Sequence, residues 1–207
     1  MIKWIGKHKY CLWLLYFCFY FPAFYLLEKY AVPKYILECS FDRYIPFVKE
    51  FIFPYYLWYI TMPLSLLVFM VKDKAAFLRL CFIMFGGMTI ATVVYTFWPN
   101  GINIRVPFEV NDLASAMVAK LQSIDPPVNV CPSVHVSSSV AIDIAVQRSA
   151  LFRNNRPVRI ISFVIMLLIC ASTMFVKQHS VIDVFWGAVI SVVLAVIYDR
   201  FLSRKKK

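Results

Sequence analysis

The sequence predicts an all-α fold: a single domain, residues 1–207, built as a bundle of six transmembrane helices with both termini in the cytoplasm. Three observations lead to this prediction. First, 61% of the residues are hydrophobic and 17% are aromatic, whereas a soluble domain is roughly half apolar. Second, the apolar residues form long runs, which is typical of a chain whose solvent is lipid. Third, most of the 22 Lys and Arg residues lie between alternate runs, as the positive-inside rule requires.

Each apolar run is bounded by charged residues or prolines. The first run follows three lysines and is too long and too aromatic for a cleaved signal peptide, so we expect an uncleaved helix that starts in the cytoplasm. Residues 28–49 carry charges of both signs and are expected to form an outer loop, with room for a short interfacial helix. Residues 98–131 form the longest polar stretch. The six spans are expected at about 10–27, 51–71, 75–97, 132–147, 158–176 and 181–202.

The charge pattern also bears on localisation and partners. The formal net charge is +11, but no basic helix with interleaved polar residues occurs, so nucleic-acid binding is excluded as a function. Basic residues concentrate in the proposed inner segments and acidic residues in the outer loops. We therefore expect an integral multi-pass protein of the plasma membrane, in contact with the lipid bilayer, with residues 131–139 and 177–183 both on the outer side.

Six cysteines are present, and none has the CxxC spacing of a zinc or redox site. Cys39 and Cys131 both fall in outer loops, so a disulfide between them stays open as an alternative to two free thiols.

His179 and Asp183, in the stretch KQHSVID, are four residues apart. On a helix this spacing places both side chains on one face. A carboxylate at one ring nitrogen fixes the histidine tautomer and leaves the other nitrogen as a nucleophile or base. An ionisable residue at the entry to an apolar span is a functional candidate. The alternative is a structural pair or a local helix cap.

The stretch CPSVH places Pro132, Ser133 and His135 at the start of the fourth span. Proline suits the first turn of a helix. The helix start offers free N–H groups and a partial positive charge, Ser133 adds a hydroxyl, and His135 can donate a proton. These groups are suited to binding a phosphate and protonating its leaving oxygen. The alternative is an ordinary N-cap beside a structural histidine.

In their order and spacing, PSVH and KQHSVID resemble the second and third signatures of the type 2 phosphatidic acid phosphatase superfamily. This superfamily includes lipid phosphate phosphatases, and inositol-phosphorylceramide and sphingomyelin synthases are related to it. The resemblance implies that His179 attacks phosphorus to form a phosphohistidine, that Asp183 orients it, and that His135 protonates the lipid alkoxide and then activates water. It implies phosphate contacts from Ser133 and Arg105, and neither a metal nor another cofactor.

The stretch PNGINIRVP resembles the first signature less closely. The position of the expected first-signature lysine holds Trp98, and Arg105 is separated by one residue from Pro107. The arginine expected six residues before the third-signature histidine is replaced by Thr173. Lys177 can supply one of these missing charges, or it can instead extend to the membrane interface.

The sequence therefore leads to one favoured function and several alternatives. The favoured function is a lipid phosphatase that hydrolyses a phosphate monoester or diphosphate of a membrane lipid at the extracytoplasmic face. A phosphotransferase resembling the phosphorylceramide and sphingomyelin synthases is the second reading, since the same phosphohistidine can pass its group to an alcohol. A non-catalytic lipid-binding membrane protein is a third. A metal site with His135, His179 and Asp183 as ligands is a fourth.

Overall fold

The computed structural model describes residues 8–204 and the side chains of residues 8–201. Within this part of the chain the all-α prediction is confirmed. A 3₁₀-helix, Lys9–Leu15, leads into the first of seven α-helices, and two more 3₁₀-helices, Ser40–Arg43 and Lys49–Phe51, precede the second. The α-helices are α1 (Tyr16–Tyr30), α2 (Ile52–Lys72), α3 (Lys74–Phe97), α4 (Leu113–Ile124), α5 (Val134–Arg148), α6 (Arg156–Phe175) and α7 (Val181–Arg204).

Five helical segments of the described chain are long and apolar enough to cross a membrane: Lys9–Tyr30, Lys49–Lys72, Lys74–Phe97, Arg156–Phe175 and Val181–Phe201. They correspond to five of the six predicted spans, and the membrane character of the chain is thereby supported. The basic terminal segments, 1–7 and 205–207, lie outside the described residues. The cytoplasmic placement of the termini stays a prediction.

Helix α5 corresponds to the fourth predicted span, 132–147, but is not among the segments that are long and apolar enough to cross a membrane. Its 15 residues extend about 22 Å at 1.5 Å per residue, less than the hydrocarbon thickness of a bilayer, about 30 Å. It packs against α2, α3, α6 and α7 in the centre of the bundle. Its serines at 137–139 and Asp143 are buried against these helices. Because α5 packs against protein on its sides, its surface need not be apolar. The count of six spans stays a prediction.

Helices α5 and α7 begin at the same end of the bundle, which we call the site end. The Ser133 N–H donates to the Asp183 carbonyl over 3.1 Å and so joins the two helix starts. The Tyr95 hydroxyl, near the end of α3, donates to the Pro132 carbonyl over 2.6 Å. At the opposite end, Asp73 accepts a hydrogen bond of 2.7 Å from Ser149. The two motifs therefore meet at one end of the bundle, as the sequence predicted.

The site end is covered by loops that contain more structure than the sequence predicted. Two-residue strands, β1 (Tyr35–Ile36) and β2 (Asn100–Gly101), pair in parallel. The buried Asn100 side chain accepts from the N–H groups of Val130 and Cys131 and donates to the Cys131 carbonyl. This fixes the segment that leads into α5. Helix α4 lies inside the stretch that the sequence predicted only as polar. All six cysteines are free, so the disulfide left open between Cys39 and Cys131 is absent.

Candidate active site

His179 lies in the turn between α6 and α7. The Thr173 carbonyl, in the last turn of α6, accepts from the N–H groups of Gln178 and His179 at 2.9 and 3.0 Å. Lys177 adopts a left-handed backbone conformation with φ of 58°, which reverses the chain. Helix α7 begins two residues after His179. The expectation that His179 and Asp183 share a helix face is therefore wrong, because the histidine precedes the helix.

Asp183 nevertheless lies beside the histidine, because it sits in the first turn of α7. Its Oδ2 accepts from the Ser180 N–H at 2.9 Å, which caps the helix, and lies 3.4 Å from Nδ1 of His179. A good N–H···O bond is about 2.7–3.2 Å long, and Nδ1 has no other hydrogen-bond partner. Such contacts often tighten when substrate binds. One fully buried carboxylate is thus placed both to cap α7 and to orient His179.

His135 lies in the first turn of α5, facing His179. The two ring centroids are 5.7 Å apart. The His135 ring also contacts Tyr55 and Trp58 of α2, at centroid distances of 4.7 and 4.4 Å. The Trp58 indole N–H donates to Ser138 over 2.6 Å, which holds α2 against α5. The His135 Nε2 is buried and has no hydrogen-bond partner.

Ser133 is the N-cap of α5. Its Oγ accepts from the Val136 N–H at 3.3 Å, and the residue is fully buried. Its backbone N–H is the one that contacts Asp183. The structure therefore places Ser133 between the helix starts, where it fixes their relative position, and not in the wall of the cavity described below.

Arg105 lies in the loop between β2 and α4, behind that cavity. Its guanidinium donates to Oε1 of Gln178 at 2.7 Å and to the carbonyls of Asp125 and Gln122 at 2.5 and 3.3 Å. Arg105 thereby fixes two residues of the cavity wall, Asp125 and Gln178.

Lys177 does not line the cavity that holds the two histidines, and it contacts the loop before α2 instead. Its ammonium donates to the main-chain carbonyls of Asp42 and Ile45 at 3.0 and 2.5 Å, and the residue is only 5% exposed. Burial lowers the pKa of Lys177, although the Asp42 charge opposes this shift. Lys177 lines a separate surface pocket of about 760 Å³. The structure thus joins it to the loop before α2 and not to the site.

Asp42 is a buried residue of the site end that the sequence analysis did not select. Its carboxylate accepts from Oγ of Ser180 at 2.7 Å and from the N–H groups of Val181 and Cys39 at 2.9 and 2.8 Å. Burial raises its pKa, but these hydrogen bonds outweigh that effect, and the net pKa lies below the ordinary value. Asp42 and Lys177 together anchor the turn that carries His179. Asp42 and Lys177 are 135 residues apart in the sequence, so no local pattern indicated this contact.

The two histidines face a cavity of about 260 Å³ whose walls come from α1, α2, α3 and the segment after α4. Much of its lining is aromatic and apolar. Its polar lining comprises Glu28, Asp125, Asn129, Gln178 and the histidines, and lysine and arginine are absent from the described lining. The Tyr55 hydroxyl donates to Asp125 over 3.3 Å. Burial raises the pKa of Asp125, although His179, Arg105 and this hydroxyl lower it.

Asp125 and Gln178 are further site residues that the sequence analysis did not identify. The sequence offers two signals for these residues: a carboxylate directly after the apolar helix α4, and a glutamine next to a candidate histidine. Neither is specific without the fold.

The metal-site alternative gains no support: within residues 8–204, no group of three or more His, Cys, Asp or Glu side chains is arranged to hold a metal ion. At the positions where the related signatures carry cations, the Trp98 ring lies beside the Tyr35 ring at a centroid distance of 5.4 Å and an angle of 40°, and Thr173 is fully buried.

Comparison with known proteins gives no match: no protein-family model, curated protein or solved structure matches this chain. The resemblance to the type 2 phosphatidic acid phosphatase superfamily therefore depends on the motifs alone.

Proposed function

We propose that this chain cleaves a phosphate ester of a membrane lipid through a phosphohistidine intermediate. One observation carries the proposal: two imidazoles from different helices lie 5.7 Å apart at the wall of one cavity, and a buried carboxylate lies behind one of them. A nucleophile, an orienting carboxylate and a facing acid are the groups that such a reaction requires.

In the first step, Nε2 of His179 attacks phosphorus. The N–P bond forms as the bond from phosphorus to the lipid oxygen breaks, and the electron pair of that bond goes to the oxygen. His135 donates a proton to this oxygen, so the lipid leaves as an alcohol. Asp183 accepts from Nδ1–H of His179 and stabilises the positive charge that develops on the ring.

In the second step, His135 takes a proton from water, and the resulting hydroxide attacks phosphorus. The N–P bond breaks, His179 regains its electron pair, and phosphate is released. The same residue thus acts first as the acid and then as the base. Sequence charges favour the extracytoplasmic face for this reaction.

The cation content of the site argues for slow or redirected chemistry. Removal of one oxyanion-stabilising donor costs about 3 kcal/mol in known enzymes. Two expected cations are replaced by Trp98 and Thr173, and Lys177 binds carbonyls of a loop. Near the reacting group, the amide of Gln178, held by Arg105, is the donor that supports this proposal.

Phosphotransfer to an alcohol is the second candidate. The largely apolar and aromatic cavity wall favours it, because such a wall receives a lipid alcohol more readily than it orders water. The remaining alternative is a lipid-binding protein without catalysis.

A panel of lipid phosphates supplied to the purified chain in detergent, with mass detection of released phosphate and of new lipid products, tests the proposal. His179→Ala should abolish turnover. His135→Ala should retain slow phosphoenzyme formation with substrates that have activated leaving groups. His8→Ala, which alters the remaining histidine of the chain, serves as the control. Turnover at the wild-type rate by His179→Ala would exclude the nucleophile assignment.

The lipid products separate the two forms of the reaction. Release of free phosphate indicates hydrolysis, and a phosphate newly attached to an added lipid alcohol indicates transfer. Absence of both across the panel, with intact folding, leaves the non-catalytic alternative.

A further inference from the structure

The end of the bundle opposite the site end carries a buried polar cluster that the proposed reaction does not use. Its centre is Asp143 of α5, which is 7% exposed. The Asp143 Oδ1 accepts from Oγ of Ser162 at 2.7 Å and from Nε2 of Gln147 at 3.0 Å. Asp143 follows His135 by eight residues, or about 12 Å along the helix. An ionisable residue inside a membrane bundle is a functional candidate, and this one is remote from the histidines.

The cluster fixes the side chain of Arg159 in α6. The Gln147 Nε2 also donates to the Arg159 carbonyl at 2.8 Å, and the Gln147 Oε1 accepts from Nε of Arg159 at 2.9 Å. Asp143 thus orients the amide of Gln147, and this amide orients the guanidinium. The two terminal nitrogens of Arg159 have no hydrogen bond within the described part of the chain. A guanidinium held in this way presents a preorganised fork for a phosphate.

Arg156 lies beside this fork. It precedes Arg159 by three residues on α6, so both side chains lie on one side of the helix. Arg156 is exposed and has no hydrogen bond or ion pair with the described residues. A pocket of about 510 Å³ between α5 and α6 is lined by Asp143, Gln147, Arg156, Arg159, Ile160 and Phe163. Two guanidinium groups and one carboxylate give this lining a formal net charge of +1, which matches a monoanionic phosphodiester.

The surroundings of the pocket are those of a lipid headgroup. Ile160 and Phe163 are exposed and follow the arginines along α6, toward the middle of the membrane. A water-soluble anion needs no such apolar wall, whereas the glycerol and chains of a lipid do. Further exposed cations at this end of the bundle are Lys72, Lys74, Arg148, Arg153 and Arg200. A basic surface between membrane helices attracts anionic lipids.

We propose that this pocket binds an anionic phospholipid of the leaflet opposite the site end. Arg156 and Arg159 contact the phosphate, and Ile160 and Phe163 contact the glycerol and the first carbons of the chains. Gln147 is a positioning residue that acts through Arg159. The inference is independent of the proposed function, because it concerns the other leaflet and involves no reaction.

Binding to the full chain in maltoside detergent tests the inference. Native mass spectrometry follows titrations with dioleoyl phosphatidylglycerol and with dioleoyl phosphatidylcholine. One arginine near an anionic lipid changes the affinity about fivefold. The wild type should therefore prefer phosphatidylglycerol about 25-fold, and Arg156→Gln about fivefold. Arg156→Gln with Arg159→Gln should show no preference.

The matched control is Arg153→Gln with Arg200→Gln, which removes two exposed cations of the same end outside the pocket and should keep the wild-type preference. Gln147→Leu retains both pocket arginines but releases Arg159, and should lower the preference to about fivefold. Arg156 makes no contact that folding requires, so its single variant gives a result even if the variants at Arg159 and Gln147 fail to fold.

Three outcomes would overturn the inference. The first is a wild type that binds the two lipids equally. The second is an equal loss of preference in both double variants, which would indicate general attraction to a basic surface. The third is displacement of phosphatidylglycerol by an equal concentration of water-soluble glycerophosphoglycerol, which would show that a free phosphodiester suffices and that the lipid assignment is wrong.

Discussion

Gly187 sets the distance between the two helices that carry the candidate site. A Cβ atom at this position of α7 would lie 2.6 Å from the Ser133 carbonyl oxygen and 3.1 Å from Cβ of Val136. Both atoms belong to the start of α5, and the nearer one is backbone, so neither can rotate away. One turn earlier on α7, the Asp183 carbonyl accepts from Ser133. Substitution of Gly187 by alanine should therefore separate the two helix starts.

The size of the effect follows from these contacts. Ordinary van der Waals contact begins at 3.4 Å, so a contact at 2.6 Å requires an opening of 3.4 − 2.6 = 0.8 Å. Overpacking of a core typically costs about 1–3 kcal/mol. A misplacement of about 1 Å in an active site can lower the rate about 100-fold. We expect Gly187→Ala to show both effects, because the opening separates His135 from Asp183 and His179.

Gly86→Ala is the matched control. Its Cβ would meet the Leu194 side chain at 3.2 Å, which a small rotation relieves, and alanine is favoured over glycine inside a helix by about 0.5–1 kcal/mol. Thermal unfolding in detergent and lipid turnover are measured for both variants. The reasoning is refuted if Gly187→Ala melts and turns over lipid like the wild type, or if Gly86→Ala is the more damaging substitution.

Two further predictions concern anchoring carboxylates. Asp42→Ala leaves three donors without an acceptor, including the hydroxyl of Ser180, and should lower the free energy of unfolding by about 3 kcal/mol. The control is Glu38→Ala, which removes an exposed acid of the same loop and should change this free energy little. Equal melting temperatures of the two variants would contradict the prediction. The second carboxylate is Asp73, which caps α3 and accepts a hydrogen bond from Ser149. Burial raises the pKa of Asp73, but hydrogen bonds from the start of α3 and from Ser149 lower this pKa below the ordinary 3.8. Its contribution is therefore present above pH 3.8 and is lost as the pH falls through its folded pKa. Asp73→Ala should lower stability by about 1–2 kcal/mol at pH 7, and unfolding measured against pH should show this gap closing on acidification; a gap that does not depend on pH would exclude the ionised cap.

The spans could be predicted from the sequence because lipid requires nearly every lipid-facing residue to be apolar. Helix α5 shows the limit of this rule, since a central helix faces protein and carries serines and Asp143. Helix α4 was missed because prolines and charges surround it. Its buried Ala114, Val118 and Leu121 nevertheless follow a helical period.

The candidate site was predictable where one local motif defines it. The pairing of His135 with His179 was predicted because both motifs were expected on the same side of the membrane. The directions of Arg105 and Lys177 did not follow, because their partners come from distant parts of the chain. Asp42 lies 135 residues before Lys177, and Gln178 lies 73 residues after Arg105. Local patterns carry no information about such contacts.

Lys177 has a structural role in the turn before α7. Its ammonium is buried against two carbonyls, and the Asp42 carboxylate accepts from Ser180 and from Val181, the first residue of α7. The charge of Lys177 therefore stabilises the turn that presents His179 and is not directed at the cavity. Arg105 is separated from the cavity by Gln178 and Asp125. With both cations engaged in holding the walls, the proposed reaction relies on the Gln178 amide and the two histidines for contacts to the phosphate.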